Sequence, residues 1–276
     1  MSERLRTVFA QRSPSQRLLS LFLTAGYPAK EPFQDLLDTL CEGGADMLEI
    51  GMPFSDPLAD GPVIQRSSHL ALENGVDLEW ILQQVRAFRE RNTVTPVILM
   101  GYVNPLLSYG IEAFVKDAAQ AGADGFILPD IPLEEMVRIQ PEAGRHGLAL
   151  IGLATPTTSE ERMRQLDRQL DGFIYTVLVT GVTGTSRDSG DAEGSEQRTF
   201  EFLKRVRANV TRNPVMAGFG IREAKDALPL APYVEGYIVG SELLRRLSEL
   251  DFDSDWKPEL LAFVKSLKLG DFELSN

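Results

Sequence analysis

Eight short apolar runs punctuate the chain, each bounded by glycine, proline or charge: Leu18–Thr24, Met47–Ile50, Val97–Gly101, Gly125–Leu128, Leu148–Leu153, Gly172–Val177, Val215–Ala217 and Gly236–Val239. They are too short to be core helices. They also lack the alternation of a strand with one wet face, so each reads as a strand buried on both sides, the state of strands in a parallel sheet covered by helices. The intervening segments carry helical spacing. Phe33, Leu36, Leu37 and Leu40 lie on one face of 31–41, and further helices are predicted over 78–88, 111–121, 133–145 (interrupted by Pro141), 160–170, 196–208, 222–228 and 256–267. The phrases Gly43-Gly44-Ala45-Asp46 and Ala121-Gly122-Ala123-Asp124-Gly125 recur where a helix ends and a strand begins, the place for a C-terminal glycine. Eight strand–helix units in 276 residues predict a (β/α)8 TIM barrel, one domain over 1–276 with a polar N-terminal helix in front. An open, doubly wound sheet is the competing architecture.

Charge narrows the function. A net charge of −12 argues against nucleic acid or an anionic membrane as partner. An anionic substrate would have to be held locally, by backbone N–H groups and helix N-termini. Two histidines, His69 and His146, leave little material for a Ser-His-Asp triad or a multi-histidine zinc site. The single cysteine, Cys41, excludes an internal disulfide and reads as a structural thiol. No run approaches the roughly 20 apolar residues of a membrane span, and the first residues lack a signal-peptide core, so the cytoplasm is the expected location.

Two connections are longer than the rest, at about 52–62 and 179–197, and enzymes of this architecture build their sites from loops that follow strands. Ahead of the first, Glu49 alternates with Leu48 and Ile50, so it faces either the barrel interior or a helix. In an apolar interior its pKa would rise toward neutrality, as proton transfer requires; a salt-bridged structural role is the alternative. Asp56 and Asp60 follow on a loop stiffened by prolines, and either could instead cap the helix beginning near Pro62. No metal is expected, because the three carboxylates show no ligand spacing. Farther on, Gly181-Val182-Thr183-Gly184, Gly218-Phe219-Gly220-Ile221 and Gly240-Ser241-Glu242 are turns able to cradle a phosphate, and Ser241 could cap a short helix there. Phe22 and Met100 lie near strand ends and Tyr175 inside a strand, on one face with Phe173 and Val177; all three could wall a planar ligand or pack in the core. The polar stretch 186–197 reads as a mobile loop, a lid in the functional version.

The run Glu49-Ile50-Gly51-Met52-Pro53-Phe54-Ser55-Asp56-Pro57-Leu58-Ala59-Asp60-Gly61-Pro62 resembles the hallmark of the tryptophan synthase alpha subunit family. Thr24-Ala25-Gly26-Tyr27-Pro28, Asp130-Ile131-Pro132, Tyr175 and the three glycine turns match in the same order. The resemblance implies retro-aldol cleavage of indole-3-glycerol phosphate to indole and glyceraldehyde 3-phosphate. It implies Glu49 as the acid–base group at indole C3 and Asp60 as the partner of the indole N–H, with Thr183 holding Asp60 on closure. Phe22, Met100 and Tyr175 would then line the indole pocket, and Gly184, Gly220, Gly240 and Ser241 would bind the phosphate. No cofactor is implied in this chain. Pyridoxal phosphate would reside in a beta subunit that contacts Asp56 and Pro57 and receives the indole within an alpha2-beta2 heterotetramer. The stretch between Gly184 and Gly218 is longer than usual for the family, and Val179-Thr180 lack its customary arginine or serine. Two other readings are a phosphate-binding barrel isomerase or epimerase, which leaves Glu49 with Asp60 unexplained, and a non-catalytic activator, which has no need of an intact carboxylate pair.

Overall fold

The eight apolar runs pair side by side and close on themselves in a computed structural model that describes residues 1–178, 192–218 and 220–269. The strands are β1 (Leu18–Thr24), β2 (Met47–Gly51), β3 (Val97–Met100), β4 (Gly125–Ile127), β5 (Ala149–Ala154), β6 (Ile174–Val177), β7 (Val215–Gly218) and β8 (Gly236–Val239). All neighbours are parallel, in sequence order, and β8 pairs with β1. The predicted (β/α)8 barrel is therefore the fold, and the open-sheet alternative falls. Nearly every strand residue is buried, which is why the runs lack alternation: one face meets the barrel interior and the other the helices.

The floor, at the N-terminal ends of the strands, is tied by charge. Asp124, fully buried before β4, accepts from Arg4 Nε at 2.9 Å, Arg89 Nη2 at 2.7 Å and the Val97 N–H at 2.8 Å. Removing either cation would leave buried charge poorly compensated, a costly change. The N-terminal helix Glu3–Gln11 supplies Arg4 and buries Leu5, so it closes the barrel from below.

Several helices depart from expectation. The helix Leu133–Arg145 runs unbroken through Pro141, which lies in its last two turns and forfeits a single intrahelical bond. Helix Val103–Tyr109, which the sequence reading omits, follows β3 directly. Helix Ala192–Asn209 begins inside the stretch expected as loop, leaving 179–191 outside the described residues. Cys41 is only half-buried, and desolvation pushes its thiol up to about 11, consistent with an unreactive role.

Candidate active site

The C-terminal ends of the strands open on a cleft of about 510 Å³. Phe22 (β1), Met100 (β3) and Tyr175 (β6) line its inner wall, Asp60 one side, and Gly220, Gly240 and Ser241 the rim after β7 and β8. Seven residues singled out in the sequence thus converge, from elements far apart in the chain. A second cleft of about 480 Å³ shares Asp60 and Met100 and adds Leu128, Pro129, Leu153 and Val177, so the apolar space continues toward β4 and β5.

Glu49 lies beneath this cleft. Its Oε1 accepts from Ser20 Oγ at 2.7 Å. Ser20 and Phe22 are two apart on β1 and face the same way, and Phe22 lines the cleft, so the pair places Glu49 in the barrel interior and not among the helices. Glu49 has 0% exposure, and Oε2 is buried with no hydrogen-bond partner. Desolvation pushes its carboxyl up to about 7, against the opposing pull of Ser20. A carboxylate at that value can both give and take a proton near neutrality. The salt-bridge alternative fails, since no cation pairs with it among the described residues. Tyr175 sits close enough for Glu49 and Asp60 to disfavour its ionisation. With burial acting first, its phenol stays neutral.

Asp60 belongs to the loop after β2. It does not cap the following helix: Gly61 occupies the N-cap of Pro62–Glu73, with no side-chain bond there. Its carboxylate instead accepts from Tyr102 Oη at 2.9 Å, and the same hydroxyl accepts from the Ala59 N–H at 2.9 Å. Burial raises the Asp60 pKa and the Tyr102 bond opposes that rise. The loop is further held by the Asp60 N–H on the Pro57 carbonyl at 3.0 Å and by Gln65 Nε2 on the Asp60 carbonyl at 2.9 Å. Asp56 is exposed; its carboxylate accepts from Ser55 Oγ and its carbonyl from the Leu58 N–H at 2.9 Å. With Pro57 it lies outside the cleft, next to Leu58, which is 92% exposed.

At the rim, Ser241 does not cap the short helix Ser241–Leu247. It is the first helical residue, behind an N-cap at Gly240 that offers no side-chain bond. Gly220 takes a φ of 79°, a backbone position that favours glycine and lets the main chain turn toward the cleft. Thr183 and Gly184 lie outside the described residues, as do Gly181, Val182 and Phe219. Among the described residues, no three His, Cys, Asp or Glu side chains gather as a metal ion would need, and no helix is long and apolar enough to cross a membrane.

Three residues enter the site unannounced by the sequence reading. Ser20 and Tyr102 hold the two carboxylates, and Arg222 lines the rim beside Gly220. Tyr102 stands two residues after Met100, so a tyrosine just beyond a strand end was the available signal.

Residues 9–268 match the family model described as tryptophan synthase alpha chain. The tryptophan synthase alpha chain of Xylella fastidiosa (strain 9a5c) is 45% identical over 86% of each chain. That of Geotalea daltonii is 42% identical over 97% of this chain and 98% of its own. The crystal structure of tryptophan synthase subunit alpha from Legionella pneumophila str. Paris superposes with a TM-score of 0.84 at 35% identity, covering 97% of both chains.

Proposed function

The chain belongs to the tryptophan synthase alpha chain family, lyases that cleave indole-3-glycerol phosphate, and from that premise we propose how its own residues divide the work. Glu49 protonates indole C3, which turns the ring into a leaving group. Positive charge then develops at the ring nitrogen, where the Asp60 carboxylate offsets it. The C3–C3′ bond breaks with its electrons returning to the ring. Glu49, now a carboxylate, takes the proton of the C3′ hydroxyl as that carbon becomes the aldehyde of glyceraldehyde 3-phosphate. The proton count closes with Glu49 restored. Two carboxylates in unlike surroundings, one dry and one on a loop, suit those two roles.

One observation carries this reading: a fully buried, half-partnered carboxylate inside the barrel, under an apolar cleft whose opposite rim is glycine and serine backbone. Phe22, Met100 and Tyr175 sandwich the indole, while Gly220, Gly240 and Ser241, joined by Gly184 from outside the described residues, hold the phosphate through N–H groups. Thr183 is assigned to Asp60 on loop closure.

In the family, pyridoxal phosphate belongs to the beta subunit, and a beta subunit is the partner. We place its contact at Asp56, Pro57 and the exposed Leu58, within an alpha2-beta2 heterotetramer in the cytoplasm, and assign this chain no cofactor of its own. A non-catalytic activator has no use for the intact pair.

The test is indole release from indole-3-glycerol phosphate by the purified chain, with and without a beta subunit. Glu49→Gln is expected to lower kcat by at least about 100-fold while the fold persists. Near-normal turnover by that variant removes Glu49 from the chemistry.

A further inference from the structure

The geometry points to Ser20 as a positioning residue that fixes which oxygen of Glu49 exchanges protons with the substrate. The inference rests on the acid–base reading of Glu49. Ser20 is a hydroxyl within Leu18-Leu19-Ser20-Leu21-Phe22-Leu23, fully buried, at a position where alanine or valine would fill the barrel without a polar group to satisfy. Its single proton goes to Glu49 Oε1 at 2.7 Å. Oε1 is thereby engaged, and Oε2, the oxygen without a partner, is left to carry the mobile proton.

The arrangement serves both halves of the reaction. A serine hydroxyl binds a carboxylate more strongly than a carboxylic acid. Ser20 therefore supports the anion formed when Oε2 gives its proton to indole C3. The anion persists while the C3–C3′ bond breaks, and Oε2 then recovers a proton from the C3′ hydroxyl. Burial opposes that anion, so burial and Ser20 together set the balance between donor and acceptor. The other titratable group facing Glu49 among the described residues is the Tyr175 phenol on β6, which is neutral; Asp60 faces Tyr175 from the loop.

The test uses the full chain with 13C-carboxyl glutamate, Glu49→Gln identifying the Glu49 resonance, beside the pH profile of kcat. In Ser20→Ala the Glu49 titration is expected to move up by about one pH unit, the usual worth of a hydrogen bond to a charged group. The alkaline limb of kcat should move with it, and kcat below the limb should fall several-fold. Ser20→Thr, which keeps the hydroxyl, should return both to wild-type positions. A Ser20→Ala titration at the wild-type pH overturns the inference. So does a fall in kcat by one factor at every pH with the limb unmoved, the mark of a packing role. Should Ser20→Ala fail to fold, Ser20→Cys, close in size and a weak donor, is read the same way. A wild-type chain that releases no indole would fail the lyase reading, and the titration would still decide the role of Ser20.

Discussion

Gly218→Ala is a small substitution that the structure makes severe. Gly218 ends β7 beside β6, and a Cβ there would lie 2.1 Å from Tyr175 Oη, 2.3 Å from Cζ and 2.4 Å from Cε1. Carbon contacts become comfortable near ~3.5 Å, so the phenol end must retreat by more than about 1 Å. Tyr175 is packed on its other sides, and the open direction is the cleft it lines. The ring is thus pushed into the volume assigned to the indole. Overpacking of this kind costs about 1–3 kcal/mol of stability, which lowers Tm by several degrees in a chain of this size. Obstructing the substrate by even ~1.4 kcal/mol lowers kcat/KM about tenfold. Steady-state indole release and a thermal melt read the two effects. Adding Tyr175→Leu should restore Tm, because leucine ends short of the clash, without restoring kcat/KM. A Gly218→Ala chain with wild-type Tm and kcat/KM would refute both the packing of Tyr175 and its place in the indole pocket.

Tyr102→Phe removes the hydroxyl that holds Asp60 and the Ala59 N–H. It should lower kcat about 10- to 100-fold, from the ~1.5–3 kcal/mol of a hydrogen bond to a charged group, and the Asp60 limb of the pH profile should move up. Glu49→Gln should change stability with pH. Burial raises the folded-state value of Glu49 from 4.5 to about 7, so its neutral form favours folding and that contribution is lost as pH rises through 7. The variant's stability relative to wild type should therefore grow between pH 4.5 and 7, by up to about 3 kcal/mol; a pH-independent difference in urea melts contradicts the buried acid. Ser241→Trp should raise KM for indole-3-glycerol phosphate several-fold with kcat little changed, and an unchanged KM moves the phosphate site elsewhere.

The barrel was legible because strands buried on both faces cannot alternate, and eight such runs leave few architectures open. Glu49 was legible as a charge inside one of those runs. Ser20 was not: a serine in a strand is ordinary, and what gives it meaning is a partner 29 residues away, brought close only by the β1–β2 register. Tyr102 stayed hidden because the seven-residue helix after it contains Asn104-Pro105, which reads as turn, so the segment offered no element to place it on. Asp60 and Ser241 looked like helix caps because local chemistry favours that role; Gly61 and Gly240 hold the caps and leave both side chains to the cleft. Pro141 read as a break because its cost was counted without the tertiary packing of Met136, Ile139 and Ala143 that keeps the helix intact.

Tyr102 grips its loop twice through a single oxygen, once at the backbone and once at a carboxylate. Glu49, by contrast, rides on a strand locked between two neighbours. The distance separating the two acids is accordingly a variable owned by one of them. On the roles proposed for the two acids, whatever tilts the segment from Pro53 to Asp60 would drag that carboxylate while its counterpart stays put, and turnover would become a gauge of the loop's posture. A docked neighbour pressing on Leu58 would hold the throttle without ever reaching the indole.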